Sequence, residues 1–335
     1  AYPLNAFNFI KQIETSLDVS SITVNGVEIW PFLRNAYFFG YKNKYDFEIS
    51  REKEITLTKV GILFRNIFHG FSNFFKHYDF IILSNIGENR IINGKYSNKL
   101  MTDLISELGV KRILYIENPA GKKHHRKKYS LTKHVVSSNF FVFLSYLLSL
   151  TKFIEIKNKK ILKKINYDYN LNIDYFSITK LFFSYVFILK LLNRIYKPEK
   201  IFLSQYYSLF HQAVIYAFNT SGVNTIEFQH GIMNDQHIAY NVFKKFNDDF
   251  FPKYLLVFGD KVKSIFTEEN YFIKNDNVIS IGNMYLNYIN YNYISSNETQ
   301  KKFKSLRLKH NKIVAVSSQM TIEDKLINFL KNVAK

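Results

Sequence analysis

Between residues 200 and 231 the chain reads strand, helix, strand, and the second strand runs straight into a polar turn. The first strand spans 200–207. An amphipathic helix follows over about 209–221, closed by Gly222 as its C-cap. The stretch Val223-Asn-Thr-Ile-Glu-Phe-Gln-His-Gly231 then supplies the second strand and the turn, with His237 and Tyr240 close behind. Two strands joined through a helix pair in parallel. Open parallel sheets bind ligands beyond the carboxyl ends of their strands. The chemistry is therefore expected around Gln229, His230 and Gly231, in a cleft over a doubly wound sheet.

The same alternation recurs elsewhere. Residues 80–83 form a strong apolar strand, followed by a polar loop to Lys95, a helix over 98–108 capped by Gly109, and a strand over 112–117. Strands are also expected at 254–258 and 278–281, with a helix over 261–269 between them. This pattern predicts an α/β fold with a parallel sheet. At the N-terminus the pattern gives a helix over 6–17, a hairpin over 22–29 turning at Asn25-Gly26, and an apolar helix from Phe32. Trp30, beside Pro31, reads as a packing anchor. Residues 119–198 read as a helical insertion of basic loops and helices, the last helix over 177–196. A polar linker with a short helix follows over about 287–309. Residues 312–317 then form a fresh apolar strand, and Thr321 caps a helix from 322 onward. The expected organisation is a sheet domain over 1–289, a linker over 290–310, and the incomplete start of a second, similar domain over 311–335.

With 335 residues there is room for two domains. The absence of cysteine excludes a disulfide framework, a zinc–thiolate site and an iron–sulfur cluster, and it fits a reducing compartment. A net charge of +19 calls for an anionic partner. Lysines, histidines and arginine cluster over 122–128, and lysines again over 157–164. No nucleic-acid-binding motif accompanies them, which disfavours DNA and RNA. An anionic membrane surface, a phosphorylated substrate and a plain solvated loop all remain open. No signal peptide is visible at the N-terminus. The apolar stretch 139–154 is too short to span a bilayer and reads as a core helix or one lying on a membrane surface. No glycine-rich dinucleotide loop, Walker segment or Gly-x-Ser-x-Gly elbow is present, so dinucleotide oxidoreductases, P-loop enzymes and serine hydrolases are disfavoured.

His230 is the leading catalytic candidate, because an imidazole at a sheet's carboxyl edge can take a proton from a hydroxyl or donate to a phosphate. The plain alternative is a histidine that only satisfies turn carbonyls. Strand alternation places Glu227 and Gln229 on one face and His230 on the other. Gly231 is expected to allow a tight turn and leave room for a ligand. His237 and Tyr240 share a face if that segment is helical. Glu88 is a candidate base, with Arg90 and Lys95 to hold an anion; a solvated turn is the alternative. Asp103 reads as structural. Gly282 and Asn283 end the last strand of the first domain. Ser317, Ser318 and Gln319 could meet a donor phosphate at a helix start. The two histidines lack a third ligand at recognisable spacing, so no metal is expected.

Glu227-Phe-Gln-His-Gly231 resembles the E-x-Q-H-G segment of bacterial surface-polysaccharide biosynthesis glycosyltransferases. The segments 252–260, 278–283 and 316–321 stand in the order those proteins show, and those at 29–34 and 93–98 also resemble them. The resemblance implies a GT-B architecture of two Rossmann-like lobes, the second mostly absent here. It implies an inverting, metal-independent glycosyltransferase with no cofactor beyond its nucleotide-sugar donor, which CMP-linked acidic sugars would fit. The acceptor would be a glycan or lipid-linked glycan of capsule or lipopolysaccharide. The enzyme would be cytoplasmic, peripheral at the inner face of the membrane. Two other functions stay open at this stage: a polyol-phosphate transferase of the teichoic-acid type, and a non-catalytic glycan- or membrane-binding module.

Overall fold

The computed structural model describes residues 5–45, 66–92, 94–109, 112–120, 122–286, 289, 297–310 and 313. It divides into two compact units, one of residues 1–48 and 52–285, the other of 49–51 and 286–335. In the second unit the described residues form one helix, Asn297–Lys309, with no buried residue. The strand and helix expected over 312–335, and with them Ser317, Ser318 and Gln319, lie outside the described residues.

The first unit is built on a seven-stranded sheet whose paired strands all run parallel. Its strands are β3 (Phe80–Asn85), β6 (Ile113–Asn118), β7 (Val135–Ser137), β8 (Lys200–Leu203), β9 (Asn224–Phe228), β10 (Tyr254–Val257) and β11 (Val278–Ser280). Their order is β11-β10-β9-β8-β3-β6-β7. The chain starts in the middle at β3, walks out to one edge through β6 and β7, then returns to β8 and walks to the other edge. That is the doubly wound, Rossmann-like order. The reversal between β3 and β8 opens a crevice at their carboxyl ends, because the connections leave those two strands toward opposite faces.

The two faces are unequally covered. Ile81, Leu83, Leu114, Ile116, Ile201 and Leu203 point into a large core. Its helices are α1 (Ala6–Ser16), α2 (Trp30–Tyr45), α4 (Ser138–Thr151), α5 (Lys160–Asp168), α6 (Tyr175–Tyr196) and α7 (Leu209–Asn219). Phe80, Ile82, Tyr115, Phe202, Ile226 and Phe228 face the other way, against α3 (Thr102–Leu108) and the residues before it. Helix starts follow from short polar caps: Asn5, Ser137, Asp174 and Ser208 each accept a backbone N–H in the first turn of α1, α4, α6 and α7. The remaining helix, α8, is a single turn, Asp260–Lys263. The helix expected over 261–269 therefore stops early.

Two small antiparallel ribbons complete the unit. β1 (Thr23–Val24) and β2 (Val27–Glu28) form the expected hairpin. β4 (Asn89–Ile92) and β5 (Lys95–Asn98) form a hairpin where the sequence suggested only a loop. β7 likewise falls inside the stretch read as a helical insertion. Gly70 seats the turn beside it: φ is +73°, and a Cβ there would lie 1.7 Å from the Val135 carbonyl oxygen. No side chain fits at that position.

Candidate functional site

Three adjacent strands bring the candidate residues to one rim. β9 leads into His230, β8 into Tyr206 and Tyr207, and β3 into Glu88. His230 Nε2 and the Tyr207 hydroxyl are 3.0 Å apart. Burial, and then the nearby Lys99 charge, hold the His230 imidazole below its ordinary pKa, so the ring is neutral at pH 7. The Ser204 carbonyl acts the other way, although Nδ1 closes no hydrogen bond of normal geometry. Tyr207 is pushed up by burial, then by Glu227 and Glu88, and stays a hydroxyl donor. Helix α2 fixes this residue from below, since Asn35 Nδ2 donates to the Tyr207 carbonyl at 2.9 Å.

Glu227 has no exposed surface. Its Oε1 accepts from the Tyr240 hydroxyl at 2.7 Å and from the Tyr206 amide at 3.2 Å, while Oε2 has no partner. Burial outweighs those two bonds and raises the carboxyl to about 8. Glu227 can thus act on a ligand only through the tyrosines it positions. Gln229 is also committed: its amide donates to the Gly231 carbonyl and accepts from the Phe258 amide, tying β9 to β10. Gly231 itself does not have a left-handed backbone, and a Cβ there would meet nothing within 4 Å. The chain bends at this position without needing glycine's left-handed backbone, and open space lies over it.

His237 caps a short 3-10 turn, Ile238–Tyr240, and its ring lies 4.9 Å from that of Tyr240 and 5.9 Å from that of Tyr207. Burial and then His230 lower its basicity. The loop carrying it is locked to the helical layer by Arg34. That guanidinium donates to the Ile238 carbonyl at 2.8 Å and the Asn241 carbonyl at 2.7 Å, and pairs with Glu14 at 2.7 Å. Trp30 and the Phe243 amide also donate to Glu14, both at 3.0 Å. The tryptophan is an anchor, as its position beside Pro31 suggested.

Glu88 stands on the same rim but is occupied. Its Oε2 accepts from the Asn98 side chain at 2.9 Å and from the Asn85 amide at 3.5 Å, pinning the β4–β5 hairpin to the end of β3. Arg90 is exposed and folds back onto the Gly87 and Asn89 carbonyls. Lys95 is exposed on the hairpin. Asp103 sits in the first turn of α3. Gly282, with φ +78°, and Asn283 follow β11, three strand spacings from β8 or roughly 14 Å. They share the rim without joining the cluster.

Several rim groups were not singled out from the sequence. Lys99 faces His230. Ser208 Oγ and His211 Nδ1 are 2.5 Å apart at the start of α7. Burial lowers His211 to about 4, with His230 adding to the effect. A cavity of about 90 Å³ lies at the switch point, lined by Leu83, Ser84, Asn118, Ser138, Ser208 and His211 among others. The amino ends of α4 and α7 both meet it, and the buried Ser84 hydroxyl has no partner. Two helix starts and free polar hydrogens suit an anionic group. The space exceeds what a single water needs. The basic block also belongs to this rim, since it forms the loop after β6. Within it, His124 Nδ1 lies 2.6 Å from Glu117 Oε1, and the His125 ring stacks on Tyr96. A wider hollow, bounded by Lys245, Lys253, Thr267 and Asn277, lies toward the amino ends of β10 and β11, away from this chemistry.

No protein-family model matches the chain. No curated protein matches it. Among solved structures it is similar to UDP-GlcNAc 2-epimerase from Neisseria meningitidis bound to UDP-GlcNAc, with 9% identity and a TM-score of 0.31. The alignment covers 69% of this chain and 53% of that one, so the chain spans about half the length of that structure.

Proposed function

We propose that the chain carries the acceptor-side lobe of an enzyme that transfers a sugar from a nucleotide-activated donor to a bacterial surface glycan. The observation that carries this reading is the neutral His230 imidazole, 3.0 Å from the Tyr207 hydroxyl, beside the crevice between β3 and β8. The resemblance of Glu227-Phe-Gln-His-Gly231 to the polysaccharide-biosynthesis motif supports the same assignment. In the proposed reaction the acceptor oxygen attacks the anomeric carbon from the face opposite the nucleotide. The bond to the leaving phosphate oxygen breaks, and the nucleotide departs with the electron pair. The acceptor proton passes to His230, directly or across the Tyr207 hydroxyl. The polar cavity under the starts of α4 and α7 would hold an anionic group of the substrate. Tyr240 and Glu227 keep the loop bearing His237 in register behind the base. Glu88 remains an alternative base, and Ser317, Ser318 and Gln319 remain proposed donor contacts.

The test is turnover of the full-length enzyme with CMP-, UDP- and GDP-linked sugars. His230→Ala is expected to lower kcat by about 10²–10⁴-fold, with Tyr207→Phe less affected. Because burial depresses its pKa, His230 remains unprotonated below the usual imidazole range, so the acid limb of kcat falls at a pH under 6.5. Near-normal transfer by His230→Ala removes it from the mechanism. A product joined by a phosphodiester rather than a glycosidic bond favours the polyol-phosphate alternative.

A further inference from the structure

Two helices of the large core turn large apolar side chains outward: α4 is inverted relative to an ordinary soluble helix, and α6 is apolar on its outer face as well as its inner one. α4 buries Ser138, Phe141, Ser145 and Ser149 but exposes Val142, Tyr146, Leu147 and Leu150. α6 buries Thr179 and Ser184 among its core residues and exposes Phe187, Leu191 and Ile195, spaced four apart on one face. Helices on a protein surface normally turn their apolar stripe inward. Small residues between helices with large apolar ones outside is the arrangement found against lipid.

The exposed side chains form one face. Lys152, just after α4, donates to the Phe183 carbonyl in the middle of α6. At the other end, Phe74 touches Phe141 of α4 and accepts from Tyr196 of α6. The helices therefore run antiparallel, side by side, with their exposed rows adjacent. The turn Phe71–Phe75 continues the face, its Phe71 and Phe74 rings packing on Phe140. Phe68, Phe75, Leu150, Phe153 and Ile195 are each more than 60% exposed. Soluble monomers rarely leave so many large apolar groups together in water.

Charge decides the occupant. Residues 66–77, 138–153 and 175–197 contain no Asp or Glu, but they contain Lys76, Lys152, Lys180, Lys190, Arg194 and Lys197. A second copy docked face to face would bring these cations against each other. An anionic bilayer complements them while accepting the apolar side chains. Crossing the bilayer is a different matter. α6 is long and apolar enough to span, yet Phe182, Tyr185 and Leu189 are built into the sheet's core.

We propose that the face formed by α4, α6 and the Phe71–Phe75 turn docks the protein on an anionic lipid surface. Val142 belongs both to this face and to the lining of the switch-point cavity, so the crevice opens at the edge of the docked surface. The proposal is independent of the sugar-transfer reading, because vesicle binding is measured without turnover.

The experiment is co-sedimentation of the full-length chain with phosphatidylcholine vesicles, with and without phosphatidylglycerol. Binding is expected to the anionic vesicles and to weaken with salt. Combining Leu150→Glu, Phe153→Glu and Ile195→Glu is expected to reduce partitioning at least tenfold, with circular dichroism and unfolding midpoint unchanged because all three sites are exposed. As a milder variant, Leu147→Trp should gain a blue-shifted fluorescence on anionic vesicles. The proposal is overturned if the wild-type chain ignores the vesicles or the triple variant binds like wild type. It is equally overturned if the substitutions convert a dimer to a monomer without vesicle binding in either form, which would assign the face to a second copy.

Discussion

Glu227 is a sealed carboxyl with one oxygen bonded twice and the other bonded to nothing. Its pKa rises from 4.5 in the unfolded chain to about 8 in the folded one. Between those values the unfolded state has lost the proton and the folded state keeps it. Folding stability must then fall as pH rises through that window and level off above it. Glu227→Gln keeps an acceptor for Tyr240 and removes the ionisation. It should match wild type near pH 5 and exceed it near pH 8.5, by a few kcal/mol at most. Urea unfolding at the two pH values reads the difference, and parallel curves would refute the burial argument. The period-two alternation made it legible in sequence that Glu227 faces away from Ile226 and Phe228. The partners were not legible: Tyr206 and Tyr240 reach Glu227 through irregular loops that no local pattern encodes.

Helix α2 does more than fill the core, because consecutive residues on it hold two site loops. Asn35 carries the Tyr207 carbonyl and Arg34 the carbonyls of Ile238 and Asn241. Arg34 and Glu14 are both fully buried, so removing one partner strands the other's charge. Arg34→Met should cost about 3–5 kcal/mol, and adding Glu14→Met should recover part of it. Amide exchange over 238–243 should speed up in the single variant, and unchanged protection there would mean the loop is held otherwise. The apolar runs of β3, β6, β8 and β9 were readable because strands buried on both faces leave that signature. The β4–β5 ribbon was not, since its residues are mostly polar and its burial follows no alternation along either strand. The helix expected over 261–269 ends at Lys263, where a side chain from beyond the segment takes its free carbonyls: Asn275 Nδ2 donates to the Lys263 and Phe266 carbonyls.

Across the whole molecule, the sheet order separates two uses of positive charge that look alike in sequence. The block at 122–128 follows β6, so it sits on the carboxyl rim with His230 and the switch-point cavity. Two of its residues are tied down, His124 by Glu117 and His125 by Tyr96, which leaves the exposed Lys122, Lys123 and Arg126 over the rim. Lys152, just after α4, and the cations of α6 instead border the apolar face. Sequence spacing alone could not divide these groups, because only the crossover from β7 back to β8 decides which loops share an edge. A rim of positive charge raises the local concentration of an anionic ligand and makes its capture salt-dependent. On the proposed sugar-transfer reading, replacing Lys122, Lys123 and Arg126 with Ala should therefore weaken nucleotide-sugar binding by about tenfold at low salt and flatten its dependence on ionic strength. The histidine anchors remain, so the fold and vesicle binding should persist. Titration calorimetry across a salt series measures the first effect and co-sedimentation the second. A loss of vesicle binding with nucleotide affinity intact would reverse the assignment of the two charged surfaces.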